Sequence, residues 1–366
     1  MNINSQTIIN KNLQNIFEQP NRMEHTQRTQ TQPVLTPKLN DQITTAAQLL
    51  RDGGVVAFPT ETVYGLGADI SISSAVHRIF KIKGRPTDHP LIVHIANTSQ
   101  LEYWAQEIPE SAWQLAEHFW PGPLTLILRR SRHVPKIVTG GQDTVGLRIP
   151  AHPVARTLIE KLGSNRALAA PSANRFGKLS PTTAAHVRED LGQTVDMILD
   201  GGACKIGLES TIVSFNSQKA TVLRPGGTPL AALEDVLNGQ VITVGEKNPI
   251  IRTPGSHASH YAPNTPLEIF PTKLIWQHAI NLATQGLRTV ILEWSASKKN
   301  QNHSENNHIL QFSMPHEPIT YGRQLYATLR RFDHKDFDRL LVEAPPNDPA
   351  WLAIADRLQR ASTPSS

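Results

Sequence analysis

The chain has 366 residues, 39% of them hydrophobic, and its 36 basic and 31 acidic side chains give a formal net charge of +5. That length suits two domains, and the composition is that of a chain able to bury a core. No run of about 18 apolar residues exists to cross a membrane, no basic-then-apolar leader marks secretion, and a single cysteine, Cys204, excludes both an internal disulfide and metal sites built on CxxC pairs.

A reducing cytoplasm fits that cysteine usage. The mild basic excess suits an ordinary soluble protein, and it is also compatible with a nucleotide or RNA ligand.

Residues 1–40 are rich in Asn, Gln and Thr, with few large apolar side chains after Phe17. Such a segment buries too little surface to offset its ordering entropy, so a disordered tail is expected. From Asp41 the texture changes. Ile43, Ala46, Leu49 and Leu50 fall on one helical face, and Gly53-Gly54 ends that helix. Val55–Phe58 reads as a short buried strand.

Helical and strand patterns then alternate. Helices are expected at Ser73–Ile82, Ser111–Phe119 and His152–Leu162, and another opens at Pro181. Strands are expected at Leu91–Ile95, Leu124–Leu128, Val145–Ile149, Met197–Leu199, Thr211–Phe215 and Thr221–Leu223. This is an α/β domain with a mixed sheet over residues 41–240. A polar linker follows at 241–266. A smaller α/β domain then spans 267–366, with strands at Leu267–Phe270, Thr289–Leu292 and Leu340–Val342 and helices at Tyr321–Phe332 and Trp351–Leu358. Ser297 to His308 reads as a polar loop.

Several strings carry polar chemistry. In Phe58-Pro59-Thr60-Glu61-Thr62-Val63-Tyr64-Gly65-Leu66-Gly67 the glycines permit close backbone approach. Hydroxyls at Thr60, Thr62 and Tyr64 would share one side of an extended stretch, although a tight turn with solvated hydroxyls reads as well. Lys81, Lys83 and Arg85 crowd three cations into five residues, for which an anion is the natural partner. A solvated helix end is the plainer account. His94 lies in an apolar strand close to that cluster. Pro171-Ser172-Ala173-Asn174 follows small residues and could hold a nucleotide. Neither the GxxxxGK[ST] string nor the GxSxG elbow is present.

Together and in order, these strings resemble the YrdC-like threonylcarbamoyl-AMP synthases. The resemblance rests on FPTETVYGLG, KIKGRP with PLIVHI, WPGPLTLIL, TVGLRIP, APSAN with GKLSPT, GLESTIV and LRPG. HYAP at 260–263 and the stretches ATLR (327–330) and AIADRL (353–358) resemble the longer, two-domain form. The resemblance implies a YrdC-like twisted mixed sheet with helices, plus a smaller C-terminal Rossmann-like α/β domain. It implies synthesis of L-threonylcarbamoyladenylate from L-threonine, bicarbonate and ATP with release of pyrophosphate. The product would serve N6-threonylcarbamoyladenosine formation at position 37 of tRNAs reading codons that begin with A.

On the same resemblance, Thr62, His94, Arg148, Ala170 and Ser210 hold L-threonine. Arg85, His89, Thr144, Ser172, Asn174, Ser180, Arg224 and Tyr261 hold ATP. His89 stands where the family usually has Asn. Catalysis would be by positioning, with Lys81, Arg85 and Arg148 as the cations, and no protein nucleophile is assigned. Mg²⁺ is expected on the phosphates with no protein metal site. An aromatic, Tyr261, and two histidines, His257 and His260, are more than a tether needs, so residues 241–266 are expected to act as a lid as well as a linker, an ordinary ordered linker being the plainer account. Partners downstream would be tRNA or tRNA-modification proteins, and a monomer is expected. The alternative is an RNA-binding module without synthase activity.

Overall fold

The computed structural model describes residues 35–216, 219–238, 243–244, 252–255, 260–295, 307–333 and 337–363. Most of the expected tail, the linker residues 256–259 with His257, and most of the polar loop after Ser295 lie outside them. Leu35–Ser366 form one compact unit that carries two sheets.

The first part runs α1 (Pro37–Arg51), β1 (Val56–Phe58), β2 (Gly65–Asp69), α2 (Ser73–Lys83), β3 (Ile92–His94), α3 (Leu101–Trp104), β4 (Ala105–Gln106), α4 (Glu110–Phe119), β5 (Leu124–Arg130), β6 (Thr144–Arg148), α5 (Pro153–Leu162), β7 (Leu168–Ala169), α6 (Ala184–Leu191), β8 (Met197–Ile198), β9 (Thr211–Asn216), β10 (Lys219–Arg224), α7 (Leu230–Val236) and β11 (Thr243–Val244). Their sheet has the order β11-β10-β9-β5-β6-β3-β7-β2-β1-β8, with β4 beside β5. Parallel and antiparallel pairs mix in it: β3 and β6 are parallel, β5 and β6 antiparallel.

Helix α1 starts four residues before the expected Asp41. Thr36 accepts from the Leu39 amide and Pro37 takes the first turn, so the start signal lies in sequence that reads as tail. Its face of Ile43, Ala46, Ala47 and Leu50 is buried with Val154, Leu158, Ile159 and Leu162 of α5. Pro181 does not open a helix. Its carbonyl accepts from the Tyr64 amide, and α6 begins at Ala184 behind a Thr183 cap that accepts from the His186 amide.

The second part runs β12 (Leu267–Phe270), α8 (Thr272–Thr284), β13 (Thr289–Glu293), β14 (Ile309–Ser313), α9 (Pro318–Asp333), β15 (Arg339–Glu343) and α10 (Leu352–Ala361). Its strands lie in the order β12-β15-β13-β14, every pair parallel. With α8 packed on one face of this sheet and α9 and α10 on the other, it has the helix-sheet-helix layering of an α/β domain. Its core reaches the first part directly: Leu208 and Tyr261 share a buried cluster with Tyr321, Leu325, Tyr326 and Leu358.

Candidate functional site

One cavity lies over β3, β6 and β7, closed by the loops that follow or precede them and by the linker. Its wall includes Thr60, residues 62–65, Lys83, Arg85, His94, Arg148, residues 170–172, Asn174, Phe176, Glu209, Ser210, Arg224, Pro254, Gly255, His260 and Tyr261. The local fold explains why residues so far apart in sequence meet. His94 and Arg148 are register partners at the ends of parallel strands β3 and β6. Ala170 follows β7 and donates its amide to the Ile92 carbonyl at 2.9 Å. Helix α2 stops at Gly84, whose left-handed φ of 64° suits glycine, and the turn brings Lys83 and Arg85 onto the wall.

Cations dominate the wall. Lys83 donates its Nζ to the carbonyls of Ser172 and Asn174 at 2.6 and 2.5 Å. Burial, then the neighbouring Arg85, pushes that amine well below its ordinary pKa. Arg85 donates to the Pro90 carbonyl at 2.9 Å and lies over the Phe176 ring. Its burial pulls the guanidinium down to about 10. Arg224 donates to the Ser210 carbonyl at 2.8 Å and to the Pro254 carbonyl at 2.9 Å, pinning the linker to the end of β10. Arg148 donates to Glu61 at 2.5 Å and to the Gly122 carbonyl at 3.2 Å.

The neutral donors and acceptors are held as tightly. Thr60 and Thr62 share a hydroxyl hydrogen bond of 2.8 Å, and the Thr60 hydroxyl donates to the Val63 carbonyl at 2.6 Å. The segment is a bend, so Tyr64 does not join them: its hydroxyl donates to the Gly202 carbonyl at 2.7 Å. Ser210 shares a 2.8 Å hydrogen bond with Thr125. His94 is 3% exposed, and burial, then Arg148, drives its pKa down to about 3, so the imidazole is neutral. Among the described residues, Arg85 Nε, His94 Nδ1, Asn174 Oδ1 and His260 Nδ1 are buried without a hydrogen-bond partner, and all four residues line this cavity. Buried polar atoms are ordinarily paired, so four orphans on one wall mark a place built for a ligand.

The linker is part of the wall. Tyr261 has a φ of 61°, unusual outside glycine, and is 1% exposed. Its ring lies 5.0 Å beneath the Arg357 guanidinium from α10. Gly255 has a φ of 81°, and a Cβ there would stand 2.3 Å from the Tyr261 hydroxyl oxygen, so only glycine fits against that ring. Arg357 also donates to Glu209 at 2.7 Å and to the Pro225 carbonyl at 3.0 Å. Glu209 further accepts from the Ser180 and Tyr326 hydroxyls at 2.6 and 3.0 Å. Burial alone would raise its carboxyl, but Arg357, Arg224 and Ser180 hold it below the ordinary carboxylate range.

Of the residues singled out in the sequence, Thr62, Arg85, His94, Arg148, Ala170, Ser172, Asn174, Ser210, Arg224 and Tyr261 come together on the wall. His89 stands outside it, packed 5.2 Å from the Phe176 ring. Ser180 sits behind Glu209, and Thr144 begins β6 opposite Arg129, away from the cavity. Lys81 is exposed on α2 and is not on the wall; the buried cation of that string is Lys83, two residues on. The site also contains a carboxylate, Glu209, and two second-domain supports, Tyr326 and Arg357, that motif reading leaves out. Glu209 stands in the GLESTIV string and Arg357 in AIADRL, so both lie in strings that carry the resemblance, which implies no role for either.

Residues 48–226 match the Sua5/YciO/YrdC family, described as telomere recombination. Residues 229–363 match the family described as threonylcarbamoyl-AMP synthase, C-terminal domain. The threonylcarbamoyl-AMP synthase of Pyrococcus abyssi is 40% identical over 330 residues, covering 88% of this chain and 94% of its own. That of Bacillus subtilis (strain 168) is 41% identical over 327 residues, covering 88% and 93%. A crystal structure of P. abyssi Sua5 complexed with L-threonine superposes with a TM-score of 0.78 at 41% identity, over 88% of this chain and 94% of that one.

Proposed function

This chain belongs to the Sua5/YrdC family of threonylcarbamoyl-AMP synthases in its two-domain form, and we propose that its cavity joins L-threonine, bicarbonate and ATP into L-threonylcarbamoyladenylate. The observation that carries the reading is the wall itself: Lys83, Arg85, Arg148 and Arg224 around orphaned polar atoms of Arg85, His94 and Asn174. Such a wall suits a carboxylate and phosphates in one enclosure.

The residues divide by chemistry. Arg148 and neutral His94 suit the threonine carboxylate, with Thr62 and Ser210 beside its polar groups and Ala170 leaving room. Arg85, Arg224, Ser172 and Asn174 suit the nucleotide, with Lys83 added from the geometry. Threonine's amine takes up CO₂ as a carbamate. A carbamate oxygen attacks the α-phosphorus of ATP, the bond to the bridging oxygen breaks, and pyrophosphate leaves. The chain's part is to hold the two ends in line and spread the phosphate charge over its cations. No protein nucleophile is required.

Mg²⁺ would arrive on the phosphates and lower their charge. The donor set fits an ion carried in this way. The wall offers hydroxyls and one carboxylate, Glu209, already engaged by Ser180, Tyr326 and Arg357.

The cavity itself holds about 50 Å³, small against the several hundred Å³ typical of a ligand site. We propose that Pro254, Gly255, His260 and Tyr261, which line it, serve as a lid that gives way to admit substrates and closes to keep water from a labile adenylate. No helix among the described residues is long and apolar enough to cross a membrane. A buried free thiol at Cys204 and a product destined for tRNA favour the cytoplasm. An RNA-binding module without synthase activity is not favoured, since RNA would need no closed cavity with a carboxylate clamp. The test is threonine-dependent release of pyrophosphate from ATP and bicarbonate by the purified protein.

A further inference from the structure

Arg148 is a buried guanidinium that must keep hydrogens available for a ligand while paying little for its own burial. Glu61 supplies the means. Arg148 is 4% exposed and Glu61 6%. One carboxylate oxygen of Glu61 accepts from Arg148 Nη2 at 2.5 Å, and the other accepts from the Ala151 amide at 2.9 Å, three residues beyond Arg148. Glu61 thus ties the guanidinium to the backbone that leaves β6. Arg148 Nε is fixed a second time on the Gly122 carbonyl. A guanidinium has five N–H donors, so three remain for a ligand.

Glu61 itself stands behind Arg148, outside the cavity lining. Its own backbone is held as well, since its carbonyl accepts from the Ile206 amide at 2.8 Å. A carboxylate in this place does two things. It offsets the desolvation of a buried cation, and it removes the rotamer freedom that an arginine otherwise loses on binding.

We infer that Glu61 is the positioning residue for Arg148: held between the guanidinium and the Ala151 amide, it aims the clamp for the threonine carboxylate and so sets the affinity for L-threonine without touching either substrate. The inference rests on the proposed function, because it needs Arg148 to meet threonine.

The test is steady-state pyrophosphate release with threonine and ATP varied in turn, on wild type, Glu61→Ala and Glu61→Gln. Glu61→Ala is expected to raise the threonine KM about tenfold or more, the size of a lost charge-assisted contact. Glu61→Gln keeps an acceptor for Nη2 and is expected to fall between Ala and wild type. The ATP KM should stay within about twofold and kcat should change little, because the loss is felt equally by bound substrate and transition state. In an Arg148→Ala background, adding Glu61→Gln should leave the threonine KM where it is, since no clamp remains to aim. If Glu61→Ala fails to fold, Glu61→Gln alone decides. A threonine KM equal to wild type in Glu61→Gln overturns the role, as does a parallel rise in both KM values, which a merely structural ion pair would give. A wild type that releases pyrophosphate without needing threonine overturns the functional reading and the role together, so the two failures are distinguishable.

Discussion

Arg357, in the last helix of the chain, donates its Nε to the Glu209 carboxylate at 2.7 Å across the join between the two sheets. Glu209 lines the cavity, and Arg357 lies over the ring of Tyr261. One side chain of the second domain therefore braces both the wall of the site and the lid that closes it.

That pair is fully enclosed, Arg357 at 0% and Glu209 at 7% exposure. Removing Arg357 takes from buried Glu209 its hydrogen-bonded cation, leaving the Ser180 and Tyr326 hydroxyls and the charge of Arg224; breaking a buried ion pair costs about 3–5 kcal/mol, and those contacts put this one at the lower end. Arg357→Ala should therefore shift the urea midpoint markedly downward, and Glu209→Gln added to it should recover part of the loss. Equal midpoints for Arg357→Ala and wild type would show that the brace is energetically idle.

Arg148→Ala should raise the threonine requirement while leaving ATP affinity near wild type. A lost charge-assisted contact is worth about 1.5–3 kcal/mol, or roughly 10- to 150-fold in KM. Kinetics with threonine varied at saturating ATP measure it.

The lid is tested at its two touching residues. Tyr261→Ala removes the ring, and Gly255→Ala sets a methyl where the Tyr261 hydroxyl now stands, at a φ of 81°. Both should weaken ATP binding and slow product formation, with the threonine KM less affected. Unaltered ATP affinity in both variants would reduce the linker to a tether.

Much of this could be read from the sequence, and the losses have physical causes. Strands such as Leu124–Arg130 and helices such as Pro153–Leu162 carry strong apolar periodicity, so their existence and type are legible. Strand β2 was hidden in a glycine-rich string that reads as a turn, and β7 is only two residues long. Within the cation string, helical phase decides which lysine is buried. Lys81 faces out, whereas Lys83 sits against Gly84 where the chain reverses, and only the helix end point tells them apart. Glu61, Glu209 and Arg357 act through partners 87 and 148 positions away. No local pattern announces a contact of that range, so the supports of the site were less legible than the residues that line it.

Acid should unfold the protein in part through His94. Its pKa is about 3 in the fold against an ordinary 6.5, so below about pH 6.5 the unfolded chain binds a proton that the folded chain refuses, and stability falls as pH drops toward the folded value. Between pH 7 and pH 5 this one residue removes about 2 kcal/mol. Urea unfolding at both pH values should show a shallower loss in His94→Gln by about that amount; parallel losses would mean that His94 is protonated in the fold.

The central claim is that this cavity builds an adenylate from three small substrates. The most direct measurement is chromatographic detection of threonylcarbamoyl-AMP from purified protein, ATP, L-threonine and bicarbonate, with pyrophosphate counted alongside. The expected result is product and pyrophosphate in equal amounts, both lost when threonine or bicarbonate is omitted. Absence of the adenylate from folded protein, or pyrophosphate release indifferent to threonine, would contradict it.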